Sequence, residues 1–281
     1  MTGFATATTV EEALAALSRG ARPVAGGTDL VVGARQGKEP LPDALVAIHR
    51  LPELDAIDEA GDSLRLGALV THAEIAAHPA IRERFTALAD ASAIVGSHAT
   101  RAQGTLGGNV MNASPAMETG GPLICFGATA TLRSVGGSRT VAVEELFTGP
   151  GATAANADEL LVSVEVPTPA PGTGSAYVRL EYRRQMEIAV VGATAVVHLD
   201  DGRVHDARVA ITALAGGEAD TESVATAARA AAAASSPISD VRASERYRRA
   251  MAEVIARRAV ESAVARARGT AVPIPASGAR P

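Results

Sequence analysis

The chain of 281 residues has little of several residue types on which common functions depend: it contains one cysteine, one lysine and no tryptophan. A single cysteine, Cys125, excludes an internal disulfide and an iron–sulfur cluster held by cysteines of this chain. The six histidines show no close spacing such as H-E-x-x-H, which argues against a zinc centre. With four phenylalanines and three tyrosines, the core has to be built from Ala, Val, Leu and Ile.

Nucleic-acid binding and membrane insertion also lack support in the sequence. The net charge is −5, and no basic run is interleaved with aromatic residues. The apolar run at residues 193–197 has the length of a strand and is far too short for a membrane span. The first ten residues contain neither a basic start nor an apolar signal core. We therefore expect a soluble, cytoplasmic protein.

The order of the predicted elements indicates an α+β protein with about two or three folded units. A capping box at Thr9–Glu12 opens a helix. A proline- and glycine-rich segment at 167–174 marks the main boundary, since it continues neither a helix nor a central strand. Three strands are predicted beyond it at 175–181, 189–199 and 203–214, with a hairpin turn at 200–202, then helices at 219–234 and 244–268 and a disordered tail.

The first candidate site is the glycine turn of residues 24–30, which read V-A-G-G-T-D-L. A short strand precedes it and a predicted helix follows, an arrangement in which free N–H groups bind anions. It is neither G-x-G-x-x-G nor a Walker loop. The alternative is an ordinary turn from strand to helix.

The second candidate site is the glycine-rich stretch of residues 101–123, which contains G-T-L-G-G-N at 104–109. It shows almost no hydrophobic periodicity, so we expect it to form neither a regular helix nor a strand. Its three glycines suit close backbone contact with a pyrophosphate, and Asn112, Ser114 and Glu118 extend its polar lining. The alternative is a surface loop held by its own turns. We predict that both glycine segments bind one large phosphorylated cofactor.

Other motifs are ambiguous or inert. The basic pair Arg183–Arg184 could contact a cofactor phosphate or a partner, or it could be solvated. Cys125 lies in an apolar segment and is expected to be buried. His72 and His98 have no paired acid or nucleophile, and no Ser–His–Asp or two-carboxylate arrangement is present. We therefore predict no catalytic side chain and no metal ligand.

Five segments together resemble the FAD-binding subunit of the molybdenum hydroxylases, the family of xanthine dehydrogenase and carbon monoxide dehydrogenase. They follow the family's order over nearly the whole chain. They are V-A-G-G-T-D-L at 24–30, T-L-G-G-N with A-S-P at 105–109 and 113–115, E-L-L to Pro at 159–167, the basic pair with Glu-Ile-Ala at 183–189, and Tyr-Arg at 247–248.

The resemblance implies a two-subdomain FAD-binding fold of the vanillyl-alcohol-oxidase (PCMH) type, followed by a C-terminal α/β domain with a three-stranded antiparallel sheet and helices. The implied boundaries are 1–52 and 53–168 for the two subdomains, 169–174 for a linker, 175–270 for the C-terminal domain and 271–281 for the tail.

The resemblance also implies FAD contacts, which carry over residue by residue. Arg179 replaces a family lysine, and Glu118 replaces a family aspartate. On this basis we expect Gly27→Val or Gly107→Val to abolish FAD retention, because a Cβ would block the approach to the pyrophosphate. The implied contacts are Pro23, Val24, Ala25, Gly26, Gly27, Thr28, Asp29, Leu30, Val95, Thr105, Leu106, Gly107, Gly108, Asn109, Ser114, Glu118, Leu161 and Arg179.

The implied function is electron transfer in a multi-subunit oxidoreductase. In this family a molybdenum-containing large chain carries out hydroxylation, and a small chain holds two-iron iron–sulfur clusters. The FAD chain passes electrons to NAD⁺, a quinone or another acceptor, and the assembly is a dimer of heterotrimers. Two alternatives stay open: a free-standing FAD-dependent oxidoreductase of the same fold, and a non-catalytic nucleotide-binding scaffold subunit.

Overall fold

The computed structural model describes residues 3–37, 39–183, 186–212, 224–235, 237 and 239–277. Its strands are β1 (Gly3–Thr6), β2 (Arg22–Val24), β3 (Ala44–Ala47), β4 (Ile57–Ala60), β5 (Ser63–Gly67), β6 (Thr129–Ser134), β7 (Gly137–Ala142), β8 (Phe147–Gly149), β9 (Ala152–Thr153), β10 (Leu160–Pro167), β11 (Thr173–Leu180), β12 (Val191–Asp200) and β13 (Arg203–Thr212).

The α-helices vary from single turns to one of 23 residues. They are α1 (Val10–Leu17), α2 (Leu30–Arg35), α3 (His72–Ala77), α4 (Pro79–Arg84), α5 (Thr86–Ala93), α6 (His98–Arg101), α7 (Leu106–Asn112), α8 (Gly120–Cys125), α9 (Val143–Leu146), α10 (Val224–Ala234) and α11 (Glu245–Ala267). Among the described helices, none combines the length and the apolar character that a membrane span needs.

The chain folds into two compact units, each built from separate stretches of sequence. The first unit comprises residues 1–72, 99–114 and 127–167, and the second comprises residues 73–98, 115–126 and 168–281. Residues 73–98 and 115–126 therefore group with the C-terminal part of the chain. The boundaries implied by the resemblance run in sequence order and stay a prediction.

The first unit contains a parallel sheet in the order β1-β3-β2 and an antiparallel sheet in the order β4-β5-β10-β6-β7. The predicted capping box is present in part. Thr9 accepts a hydrogen bond from the N–H of Glu12, whereas the Glu12 carboxylate accepts from Thr8. Apolar residues of α1 pack in one core with Val46, Ile48 and Leu51. This packing places β2, and the glycine turn that follows it, at an edge of the parallel sheet.

The second unit contains the antiparallel sheet β11-β12-β13. The predicted hairpin turn is confirmed: Asp201 and Gly202 have φ angles of +47° and +75°, as a two-residue hairpin loop requires. One apolar core joins residues of all three strands to the long helix α11. The side chains of Tyr177, Arg179 and Thr194 are also buried in this unit, although they are polar.

Several predicted elements need correction. The glycine-rich stretch forms two short helices, α7 and α8, because Leu106, Val110 and Leu123 are fully buried. Arg183 and residues 186–189 lie outside any strand before β12, and β11 already begins at Thr173. Strands β1 and β4 were not predicted.

The predicted tail is also different in its described part. Ala276 is 6% exposed, and its N–H donates to a buried carboxylate, so residues 271–277 are not a disordered tail. Arg184, residues 213–214 of the third predicted strand, residues 219–223 of the predicted helix and residues 278–281 lie outside the described residues.

Candidate functional site

The two glycine segments meet in the first unit, backbone against backbone. A Cβ built on Gly26 would overlap the carbonyl oxygen of Gln103 and would lie 3.2 Å from the amide nitrogen of Gly104. Only glycine permits this approach. The structure therefore brings together the two segments that the sequence analysis assigned to one cofactor.

Gly104 is enclosed in the same way. A Cβ there would lie 2.9 Å from the Thr100 carbonyl oxygen, 3.4 Å from Thr28 Oγ1 and 3.5 Å from Cδ2 of His72. The N–H of His72 donates to the Gly104 carbonyl at 3.1 Å, which ties α3 to this segment. No role was predicted for His72 from the sequence, and its packing against Gly104 was not predicted either.

In the glycine turn of residues 24–30, several backbone N–H groups donate to no backbone carbonyl. Among the residues that the structure describes, no backbone carbonyl accepts from the N–H groups of Ala25, Gly26, Gly27 or Thr28. These residues are half-buried, and Gly27 adopts a φ of +68°. Successive N–H groups in such a turn form a concave site for an anion. The turn therefore fits a pyrophosphate, as the sequence analysis expected.

The glycine-rich stretch differs from the first turn, because the N–H groups of residues 106–108 already donate to acceptors within the chain. Those of Leu106 and Gly107 donate to the carbonyls of Val70 and Ala68, each at 2.9 Å. That of Gly108 donates to Thr105 Oγ1 at 3.1 Å, the N-cap bond of α7. Thr105, Leu106 and Gly107 are buried, whereas Gly108 is exposed. These three N–H groups already have acceptors, and the predicted close contact of this segment with a pyrophosphate stays a prediction.

Close packing against Ala68 leaves no room for a side chain at Gly107. A Cβ there would lie 2.6 Å from the Ala68 carbonyl oxygen and 2.7 Å from Ala68 Cβ. Gly107→Val would therefore disturb this packing, and its predicted effect on FAD retention stays a prediction. Gly27 in turn is required by its positive φ, which costs other residues about 1–2 kcal/mol.

We expect Gly107→Ala to destabilise the first unit by about 1–3 kcal/mol, since the added methyl group overpacks a buried contact with Ala68. Chemical denaturation measures this loss. The matched control is Gly33→Ala in α2, where a Cβ meets nothing within 4 Å. Equal unfolding free energies for Gly107→Ala and wild type would contradict the packing argument.

Two of the predicted contacts, Glu118 and Arg179, bind each other in the second unit. Glu118 Oε1 lies 2.7 Å from Arg179 Nη1, and both side chains are buried. Burial raises the pKa of the Glu118 carboxyl to about 7, although the Arg179 charge opposes this shift. The pair joins residues 61 positions apart and was not predicted from the sequence.

The other predicted contacts are distributed over both units. Leu161 lies in β10, opposite Leu132, and is 2% exposed. Ser114 follows α7 at the end of a first-unit segment. Val95 belongs to the second unit and is half-buried in the turn after α5. Direct contact of each predicted residue with FAD stays a prediction.

Three further features bear on chemistry. In the described part of the chain, no three or more His, Cys, Asp or Glu side chains are grouped so that they could hold a metal ion. Cys125 is buried, as predicted. Burial, with a contribution from the Arg101 charge, lowers the pKa of His72 to about 4, so this imidazole is neutral at physiological pH.

Two family models match the chain over most of its length. The model "FAD binding domain in molybdopterin dehydrogenase" matches residues 1–169. The model "CO dehydrogenase flavoprotein C-terminal domain" matches residues 176–263. These matches confirm FAD as the cofactor, the FAD-binding fold, and the C-terminal domain with its three-stranded antiparallel sheet.

Two relatives agree with this assignment. The chain is 35% identical over 184 residues to the nicotinate dehydrogenase FAD-subunit of Eubacterium barkeri, an alignment that covers 64% of this chain and 62% of that protein. It is 31% identical over 239 residues to the carbon monoxide dehydrogenase medium chain of Hydrogenophaga pseudoflava, covering 80% of this chain and 83% of the relative.

A solved structure shows the same fold. It is carbon monoxide dehydrogenase from Hydrogenophaga pseudoflava lacking the Mo-pyranopterin moiety of its molybdenum cofactor. The match has a TM-score of 0.87 and 30% sequence identity, and it covers 94% of this chain and 97% of the matched one.

Proposed function

The chain belongs to the family of FAD-binding subunits of the molybdenum hydroxylases, and we propose that it accepts electrons from iron–sulfur clusters on a partner chain and passes them to NAD⁺, a quinone or another acceptor. The chain has one cysteine, so the clusters have to lie on another chain. The observation that carries the proposal is the turn at residues 25–28, whose N–H groups have no backbone acceptor among the described residues.

In this proposal the first turn holds the FAD pyrophosphate. The N–H groups of residues 25–28 donate to its oxygens, and Gly26 permits the turn to lie against Gln103. Gly108 offers exposed backbone for a further contact, and Asn109 offers a half-buried amide side chain. The remaining implied contacts, including Val95, Leu161, Glu118 and Arg179, are proposed on the family resemblance alone.

The bound flavin would supply the redox chemistry, and the side chains of this protein would bind and orient it. Electron transfer depends on position, distance and potential, and it needs no protein nucleophile. No catalytic side chain is predicted from the sequence, and a subunit with this role requires none. The domain boundaries at 52, 168 and 174 are likewise proposed on the resemblance.

The proposed partners are a molybdenum-containing large chain and a small iron–sulfur chain, assembled as a dimer of heterotrimers. Similarity to a "medium chain" of carbon monoxide dehydrogenase supports this assembly, because a medium chain implies larger and smaller companions.

The first test measures flavin absorption and the chains and metals that co-purify with this protein. We expect the purified chain to show flavin absorption, or to acquire it on addition of FAD. We expect the tagged chain to co-purify from its native cells with two further chains, one containing iron and one containing molybdenum by metal analysis. A colourless protein that takes up no added FAD would contradict the proposal.

The acceptor is tested on the same complex. After chemical reduction and removal of the reductant, NAD⁺ or a quinone should restore the oxidised flavin spectrum. A complex that contains FAD but transfers no electrons to any acceptor would leave FAD binding intact and would overturn the proposed electron transfer.

A further inference from the structure

Two histidines of the second unit lie side by side on adjacent strands of the sheet β11-β12-β13. His198 is in β12 and His205 is in β13, and their ring centres are 5.9 Å apart with an angle of 80° between the ring planes. His198 is half-buried and His205 is exposed. Neither residue is among the predicted FAD contacts, so a role for this pair is independent of the proposed function.

A β-bulge brings the two rings together. On β13, Ala207 packs in the apolar core, and the alternation of side chains along a strand would turn His205 to the same face. The register shifts after His198, so that Leu199 pairs with Val204. Val204 therefore packs against the core, and His205 is the extra residue of the bulge, exposed beside His198. Bulges redirect side chains in this way and are frequent beside functional sites.

The ring of His198 is held in place by β11 on its other side. Thr173 is its cross-strand neighbour, and the hydroxyl oxygen of Thr173 lies 3.3 Å from Nδ1. A Cβ built on Gly172 would lie 3.8 Å from Cε1, so the same edge of the ring packs against this glycine. Among the described residues, no hydrogen bond or ion pair involves Nε2 of His198 or the ring of His205. An Nδ1–H that donates to a hydroxyl leaves the lone pair on Nε2, and histidine binds metal ions in this form.

The separation of the rings fits one metal ion between them. In a zinc site the ion lies about 2.0–2.1 Å from each imidazole nitrogen, which at a tetrahedral angle places two ring centres about 5 Å apart. Rotation of the exposed His205 side chain closes the difference from 5.9 Å, because exposed side chains change rotamer freely. The hairpin of residues 198–208 contains three aspartates and two arginines, so its formal charge of −1 does not repel a cation.

We propose that His198 and His205 form a surface site for one divalent transition-metal ion, Zn²⁺, Ni²⁺ or Cu²⁺. One nitrogen of each imidazole binds the ion, and water fills the remaining positions, since the described chain groups no third His, Cys, Asp or Glu with them. Imidazole suits these three ions, and Cu²⁺ should bind most tightly. No such site was predicted from the sequence, because strand pairing, and not sequence spacing, brings the two histidines together.

A bound ion would join β12 to β13 at the bulge, where the ladder of backbone hydrogen bonds is interrupted. The ion binds the folded chain, in which the two rings are adjacent, so it should stabilise that state. We therefore expect Zn²⁺ to raise the unfolding temperature of the wild-type chain and to leave that of His198→Gln unchanged.

The direct test is calorimetric titration of the whole chain, without a histidine tag and stripped of metal by a chelator, with Zn²⁺ as the probe. We expect one Zn²⁺ per chain. His198→Gln and His205→Gln should each weaken binding at least about tenfold, because each removes one of two protein ligands. Thr173→Val should weaken it about tenfold, since the bond that orients the His198 ring is lost. The matched control is His49→Gln, an exposed histidine of the first unit, which should leave binding unchanged.

Electron paramagnetic resonance with Cu²⁺ as the probe identifies the ligands. The wild-type spectrum should show splitting from two nitrogens, and that of His205→Gln from one. A wild-type Kd for Zn²⁺ weaker than about 1 mM would overturn the proposal, as would binding that survives in the double variant His198→Gln with His205→Gln. The two rings would then form an aromatic contact only.

Circular dichroism checks that each variant is folded. His205 is exposed, so His205→Gln keeps the test decisive even if His198→Gln fails to fold. The FAD content of each sample is read from its visible spectrum and should not change with Zn²⁺. Absence of FAD from the wild-type chain would count against the proposed function and would leave the metal titration interpretable.

Discussion

Replacing Gly26 with alanine should weaken FAD binding at least about 100-fold, which corresponds to about 2.8 kcal/mol. The new Cβ would overlap the carbonyl oxygen of Gln103, so the first turn would have to move away from the second segment. That movement displaces the four N–H groups that are proposed to bind the pyrophosphate. Titration of the FAD-free chain with FAD, followed by flavin fluorescence, measures the change in Kd.

The control for this experiment is Gly33→Ala, which lies in the helix that follows the same turn. A Cβ at Gly33 meets nothing within 4 Å, so FAD affinity should match wild type. The circular dichroism of Gly26→Ala should stay close to wild type, since Gly26 lies in a turn outside every helix and strand. FAD affinity within threefold of wild type in Gly26→Ala would place the phosphate contact elsewhere.

Much of the first turn could be predicted from the sequence because its signals are local. A short strand, two glycines and a helix start follow one another within residues 22–35, and each has its own chemical requirement. The helix cap at Thr9 and the hairpin at Asp201–Gly202 are local in the same sense. Such features depend on neighbours in sequence, and the structure contains all three.

The second segment was misjudged because its glycines outweighed a real helical spacing. Leu106 and Val110 are four residues apart and both are fully buried, which is the period of one helix face. Gly107 and Gly108 lower helix propensity, but tertiary packing against Ala68 overrides it. The use of the N–H groups of residues 106 and 107 depends on carbonyls almost 40 residues earlier, which no local pattern reveals.

Charge pairs between residues far apart in the sequence could not be predicted either, because no local pattern reveals them. The family resemblance implies Glu118 and Arg179 as separate FAD contacts, and the structure shows that they also bind each other. The pair forms because β11 and the segment before α8 meet in the second unit. Asp90 and Arg266 are a still more distant pair, separated by 176 positions.

Replacing Asp90 with alanine should lower the free energy of unfolding by about 3–5 kcal/mol, the largest change in stability that we expect. Asp90 is fully buried and binds Arg266 through both carboxylate oxygens, at 2.6 and 2.9 Å. It also accepts from the N–H groups of Tyr177 and Ala276. One side chain thus joins α5, β11, α11 and the C-terminal segment, and its removal leaves a buried cation and two N–H groups without that acceptor. Urea unfolding measures the loss.

The comparison that isolates burial is Arg249→Ala, which breaks an exposed pair with Glu245 on α11. That pair should contribute only about 0.3–0.5 kcal/mol, because solvent screens it. The double variant Asp90→Ala with Arg266→Met should be more stable than Asp90→Ala alone, since the unpaired buried charge is gone. If Asp90→Ala and Arg249→Ala cost the same, Asp90 does not hold these elements together. If they differ as expected, the C-terminal segment up to residue 277 is part of the folded second unit, because its Ala276 depends on the same carboxylate.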